Sequence, residues 1–145
     1  MVVIASDHGG YELKQGLIAY FKTKNIPYID LGTNGIESVD YPDFGIKLGE
    51  EVIKHKRDLG IAICGTGIGI SIAANKVDGI RAALIYDENT ARLAKEHNNA
   101  NVIALGGRTT KLDDAIKYVE VFLNTQFEER HQLRLDKITK YEEKK

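Results

Sequence analysis

Apolar residues along this chain fall into short continuous runs, separated by longer stretches in which they recur every three or four positions. The runs are Val2 to Ala5, Tyr28 to Leu31, Gly60 to Ile63, Arg81 to Ile85 and Val102 to Leu105. Each is short and almost unbroken, the pattern of a strand covered on both faces. Between them, Leu13, Leu17 and Phe21 mark a helix, and Phe44, Leu48 and Val52 mark a second that opens at Pro42, a good first-turn residue. A third runs from about Gly69 to Val77. The fourth starts at the N-cap Asp87, carries Ala91 and Ala94 and ends near His97, and Leu112 to Leu123 supplies the fifth. This alternation predicts one domain over residues 1–145, a five-stranded parallel sheet in a three-layer α/β/α sandwich.

The stretch from Gln126 to Lys145 is helical in composition but leads into no further strand. Phe127, Leu135 and Ile138 give it a thin apolar stripe, with Arg130 and Arg134 one turn apart beside it. The expectation is a C-terminal helix that packs on a partner subunit, the alternative being a solvated terminal helix.

Composition narrows the function. With 20 Lys and Arg against 21 Asp and Glu, the net charge is −1, so nothing favours nucleic acid or an anionic membrane, and any anion site must be local. No run reads as a signal peptide or membrane span. The single cysteine, Cys64, forms no internal disulfide and fits a reducing cytoplasm.

Chemistry-bearing residues gather where strands give way to helices, the ligand-binding edge of open parallel sheets. The richest segment is Cys64-Gly65-Thr66-Gly67-Ile68-Gly69, whose alternate glycines let backbone N–H groups converge on an anion beside a helix start. A helix N-terminus also favours the thiolate form of a cysteine. The spacing is not a dinucleotide fingerprint, which needs its third glycine at Ile70, although Asp87 lies where a ribose-binding acid would. Nor is it a nucleophile elbow, because Ala62 and Thr66 flank Cys64. Ser6-Asp7-His8-Gly9-Gly10 follows another strand, and there Asp7 reads equally as a helix cap. His97-Asn98-Asn99 ends the fourth helix, where a histidine and an asparagine are ordinary stops. The four histidines, His8, His55, His97 and His131, show no metal-ligand spacing. A thiolate, an N–H-lined pocket, a carboxylate, two histidines and paired arginines together suit proton abstraction beside the carbonyl of a phosphorylated substrate.

These segments, with Asp40-Tyr41-Pro42, the long run from Cys64 to Lys76, Gly106-Gly107-Arg108 and the spacing of Arg130, His131 and Arg134, resemble ribose-5-phosphate isomerase type B over nearly the whole chain. The galactose-6-phosphate and allose-6-phosphate isomerases are its relatives. The resemblance implies a Rossmann-like fold, a homodimer or dimer of dimers with shared active sites, a small sugar-phosphate substrate, and no metal or organic cofactor. It implies that Cys64 moves a proton between C1 and C2 through a cis-enediolate, with Thr66 shuttling the proton between oxygens. Gly65, Gly67, Ile68, Gly69 and Ser71 would line the substrate, and His97 would open the furanose ring. Asp7 and Asn98 would bind hydroxyls, Tyr41 would wall the pocket, and His8, Arg108, Arg130 and Arg134 would cradle the phosphate. Arg130, His131 and Arg134 are expected from the neighbouring subunit. One branch of the family carries its base as a Glu further along the loop; Ile70 stands there, which groups this chain with the cysteine users. A six-carbon aldose 6-phosphate, or a nucleotide-binding regulatory role, stands as the alternative.

Overall fold

The computed structural model describes all 145 residues. Five parallel strands, β1 (Val2–Ser6), β2 (Tyr28–Asp30), β3 (Leu59–Cys64), β4 (Ala82–Leu84) and β5 (Val102–Gly106), form one sheet in the order β2-β1-β3-β5-β4. The helices are α1 (Tyr11–Thr23), α2 (Tyr41–Val52), α3 (Ile68–Ala74), α4 (Glu88–Glu96), α5 (Leu112–Asn124) and α6 (Gln132–Glu143). Side chains of α1, α4 and α5, among them Leu17, Phe21, Ala91 and Phe122, fill a core on one face with Ile4, Ile61 and Ile103. Leu48 and Val52 of α2 and Ile70 and Ala74 of α3 fill the other with Val3, Ala62 and Val102. This is the expected three-layer sandwich.

The neighbours β1 and β3 lead into α1 and α3, which lie on opposite faces, so the loops after these strands diverge and leave a crevice at the carboxyl edge. Hydrogen bonds tie those loops together: Asp7 N–H donates to the Ile63 carbonyl over 3.1 Å, Gly107 N–H to that of Cys64 over 2.8 Å, and Arg108 N–H to that of Gly65 over 3.0 Å.

Four elements depart from the pattern. β2 ends at Asp30 rather than Leu31 and, as an edge strand, is only partly covered. α3 stops at Ala74 rather than near Val77, because the Asn75 side chain turns to the edge strand, donating to the Ala82 carbonyl over 2.9 Å and accepting from its N–H over 2.8 Å. β4 spans only Ala82–Leu84: Arg81 N–H goes to the Asn101 side chain, while Ile85 N–H, just past the strand, still donates to the Ala104 carbonyl. Arg130 lies in a 3₁₀ turn, Glu129–His131, that precedes α6, so Arg130 and Arg134 do not share one regular helix. α6 itself touches its own subunit: Leu135 is buried, Glu142 accepts from Gly79 N–H and Lys145 pairs with Asp78, while Leu133, Ile138 and Tyr141 stay exposed.

Candidate active site

Cys64 is the last residue of β3 and is buried. Gly67 takes a left-handed φ of +81°, which swings its N–H back to donate to Cys64 Sγ over 3.2 Å. No other residue fits there, since a Cβ would also meet the Leu105 carbonyl carbon at 2.8 Å. Ile68 N–H donates to Thr66 Oγ1 over 3.2 Å, leaving the hydroxyl proton free to donate outward. The N–H groups of Gly65, Thr66, Gly69 and Ile70 have no acceptor within the chain. Together they form a cradle of donors suited to an oxyanion.

Around this loop, Asp7 is 7% exposed and accepts Gly10 N–H on Oδ1 over 3.1 Å, so it does cap its turn, yet only one of its two oxygens is spent. His8 Nδ1 accepts the Val39 N–H over 3.1 Å, which puts the proton of the neutral ring on Nε2. His8, Gly9, Glu12, Ile36, Gly107 and Arg108 line a cavity of about 210 Å³. The Arg108 guanidinium crosses Gly65 so closely that a Cβ there would lie 3.0 Å from it, and the Tyr41 ring covers Gly69 in the same way at 2.6 Å. Ser71 Oγ donates to the Ile68 carbonyl and serves α3.

The remaining expected site residues lie elsewhere. His97 caps the C-terminus of α4, just before β5 begins, and so sits at the amino edge of the sheet. β3 and β5 run side by side from Gly60 and Val102 to Cys64 and Gly106, so four residues at ~3.3 Å, about 13 Å of strand, separate the two edges. The turn before α6 docks on the end of α4, Glu128 N–H donating to the Glu96 carbonyl over 2.9 Å. It brings His131 against His97, ring centroids 4.4 Å apart, with Arg134 donating to His131 Nδ1 over 3.2 Å. Burial, then the positive charge of Arg130, His97 and Arg134, pushes His131 below the usual histidine range. Arg130 hydrogen-bonds Glu128 over 3.2 Å and holds its carboxyl below the usual range. Sequence reasoning missed the residue that orders this group: Arg81, half-buried, donates to the Asn98 and Asn99 carbonyls from Nε and to Asn99 again from Nη2. Its only sequence signal was a place at the start of a strand.

The expected residues therefore form two groups. Asp7, His8, Tyr41, Cys64 to Gly69 and Arg108 meet at the carboxyl edge, and His97, Asn98, Arg130, His131 and Arg134 at the amino edge. The family model described as Ribose/Galactose Isomerase matches residues 2–138. The chain belongs to the ribose/galactose isomerase family. A relative within it, the probable ribose-5-phosphate isomerase B of Mycoplasma genitalium, is 48% identical over 144 residues, covering 97% of this chain and 95% of its own. The structure of ribose-5-phosphate isomerase B from Clostridium thermocellum superposes with a TM-score of 0.95 at 51% identity, covering 99% of this chain and 97% of that one. The Mycoplasma genitalium isomerase with bound ribulose-5-phosphate does so at 0.94 and 46%, with 99% and 97% covered. Family membership also removes the nucleotide-binding alternative, and the third glycine of a dinucleotide fingerprint would have to replace Ile70, which is fully buried.

Proposed function

We propose that the chain interconverts ribose 5-phosphate and ribulose 5-phosphate, at sites each assembled from the carboxyl-edge group of one subunit and the amino-edge group of another. The observation that carries this reading is the Cys64 thiol at the head of a loop in which the N–H groups of Gly65, Thr66, Gly69 and Ile70 lack acceptors within the chain. The bound ribulose-5-phosphate of the Mycoplasma genitalium relative supports the choice of substrate.

The Cys64 thiolate, held by Gly67 N–H, removes the proton from C2 of the open-chain aldose. The electron pair moves into a C1–C2 double bond and the charge onto O1, which the loop N–H groups receive. Thr66 relays a proton between O1 and O2, and Cys64 returns its proton to C1, giving the ketose. Both carbons are served by one thiol, and the cradle neutralises the enediolate without a Lewis acid, so no metal or organic cofactor takes part. His8 Nε2–H and Arg108 take two edges of the phosphate.

The phosphate and the ring need further groups. His97 opens the furanose by protonating the ring oxygen while the O1 hydroxyl gives its proton to solvent, and Asn98 binds hydroxyls. Arg130, His131 and Arg134 close the phosphate cradle. Since these sit about 13 Å of strand from their own Cys64, they act on the Cys64 of a partner subunit. The exposed Leu133, Ile138 and Tyr141 of α6 supply apolar surface for that assembly. The sites are thus shared in a homodimer or a dimer of dimers.

A coupled assay on ribose 5-phosphate, allose 6-phosphate and galactose 6-phosphate tests the assignment. Ribose 5-phosphate is expected to give the highest kcat/KM. The family description spans ribose and galactose, which favours a six-carbon aldose 6-phosphate as the second reading. Turnover of a hexose phosphate alone would select that reading, and no turnover of any would overturn both.

A further inference from the structure

We propose that His97, Glu128 and His131 form a binding site for a divalent transition-metal ion, zinc by its chemistry, and that the ion shuts the isomerase off. One ligand atom from each of the three residues lies within 4.8 Å of the others. His97 Nε2 and Glu128 Oε1 are 4.0 Å apart, whereas two ligands of a tetrahedral zinc with bonds of about 2.0–2.2 Å stand about 3.3–3.6 Å apart. The difference is within the reach of the part-exposed Glu128 side chain, whose Oε1 the ion would take from Arg130.

A second observation is independent of that clustering. His131 is only 8% exposed, and its Nε2 is enclosed with no hydrogen-bond partner, a costly state for a ring nitrogen. The backbone is already set, because His131 N–H donates to the Glu128 carbonyl within a turn anchored on Glu96. His97 and Glu128 are part-exposed, which leaves an entry path and open coordination positions.

Two imidazoles and one carboxylate select zinc over magnesium, which prefers an oxygen shell and keeps its water. A neutral imidazole has a single in-plane lone pair, and in His131 the Arg134 donor engages it. A metal ion and Arg134 therefore compete for one ring. The shut-off rests on the isomerase reading, in which a metal-bound His97 hands no proton to the ring oxygen; the binding does not.

The test is calorimetric titration of the EDTA-stripped, dialysed full chain with Zn²⁺, with Mg²⁺ as control and no sugar present. One Zn²⁺ per chain is expected, at least a hundredfold tighter than Mg²⁺. Glu128→Gln, an exposed change that leaves the fold alone, and His131→Ala are each expected to weaken it tenfold or more. Arg134→Ala is expected to tighten it, and Cys64→Ala to leave it unchanged. No saturable zinc binding, binding that survives both ligand changes, or binding that vanishes with Cys64 would overturn the site. In the isomerase assay, zinc is expected to inhibit with the midpoint found by calorimetry, and full activity at zinc saturation would overturn the shut-off. Inactivity on every sugar phosphate would instead overturn the isomerase reading, with the calorimetric result still standing.

Discussion

The His97 and His131 rings lie 4.4 Å apart at the amino edge of the sheet, while Cys64 ends β3 at the carboxyl edge. Ring opening and proton abstraction, assigned to His97 and Cys64, therefore cannot share a site within one chain, and the two steps are separable by mutation. Ribulose 5-phosphate cannot close a furanose, because the oxygen needed carries the phosphate, so it reaches the base already open. His97→Asn is expected to be severely impaired on ribose 5-phosphate yet to exchange the C1 hydrogen of ribulose 5-phosphate with deuterated solvent, read by NMR. Loss of exchange in a variant that still binds substrate would move His97 into the enolisation step.

Cys64→Ala is expected to bind substrate, remain folded and lose both isomerisation and exchange, since no other side chain in the loop accepts a carbon-bound proton. Residual turnover above about a hundredth of wild type would contradict its role as the base. EDTA is expected not to lower the rate.

The proposed phosphate cradle is divided between the edges, and each half is expected to report mainly in KM. His8→Ala and Arg134→Ala are each expected to weaken sugar-phosphate binding by about 1.5 to 3 kcal/mol, the scale of a charge-assisted hydrogen bond. A variant that lowers kcat with KM unchanged would place that residue in the chemistry instead.

Lys14 gives a prediction on stability. It lies on α1 and is fully buried, and its ammonium donates to both oxygens of Asp30 at 2.7 and 2.9 Å, the Asp30 side chain being 28% exposed and also accepting Gly32 N–H. Asp30→Ala leaves a buried cation with only the 3.4 Å contact to Gln15 Oε1 and is expected to cost about 3 to 5 kcal/mol. Lys14→Met leaves a carboxylate that reaches water and keeps one donor, and is expected to cost clearly less. Urea denaturation of both decides it, and equal losses would mean that the pair acts as a unit rather than through the stranded charge.

The sheet and the catalytic loop were legible because each rests on local sequence. Continuous apolar runs specify strands buried on both faces in β1, β3 and β5, whereas the edge strands β2 and β4 are only partly covered, and alternating glycines after Cys64 specify a loop whose N–H groups converge. Lys14 was not legible, since its partner Asp30 lies across a crossover and helical periodicity treats a lysine as surface. The early end of α3 was hidden for the same reason: Asn75 spends its amide on Ala82, a contact that exists only after the edge strand is in place. The residues of the candidate site were named from sequence, but not their division, because His97 and His131 meet only when the turn before α6 docks on the end of α4. Arg81 and Glu128, which organise that group, carry no motif of their own.

The shared site is tested most directly by mixing two inactive variants. Cys64→Ala and His97→Asn chains, differently tagged, are unfolded together, refolded and purified as heterodimers carrying both tags. One site in each heterodimer then joins an intact Cys64 to the partner subunit's intact His97, and the other site has neither. Isomerisation of ribose 5-phosphate is expected to return to about half the wild-type rate per dimer. Verified heterodimers that stay as inactive as the parents would place Cys64 and His97 in one subunit's site and contradict the account.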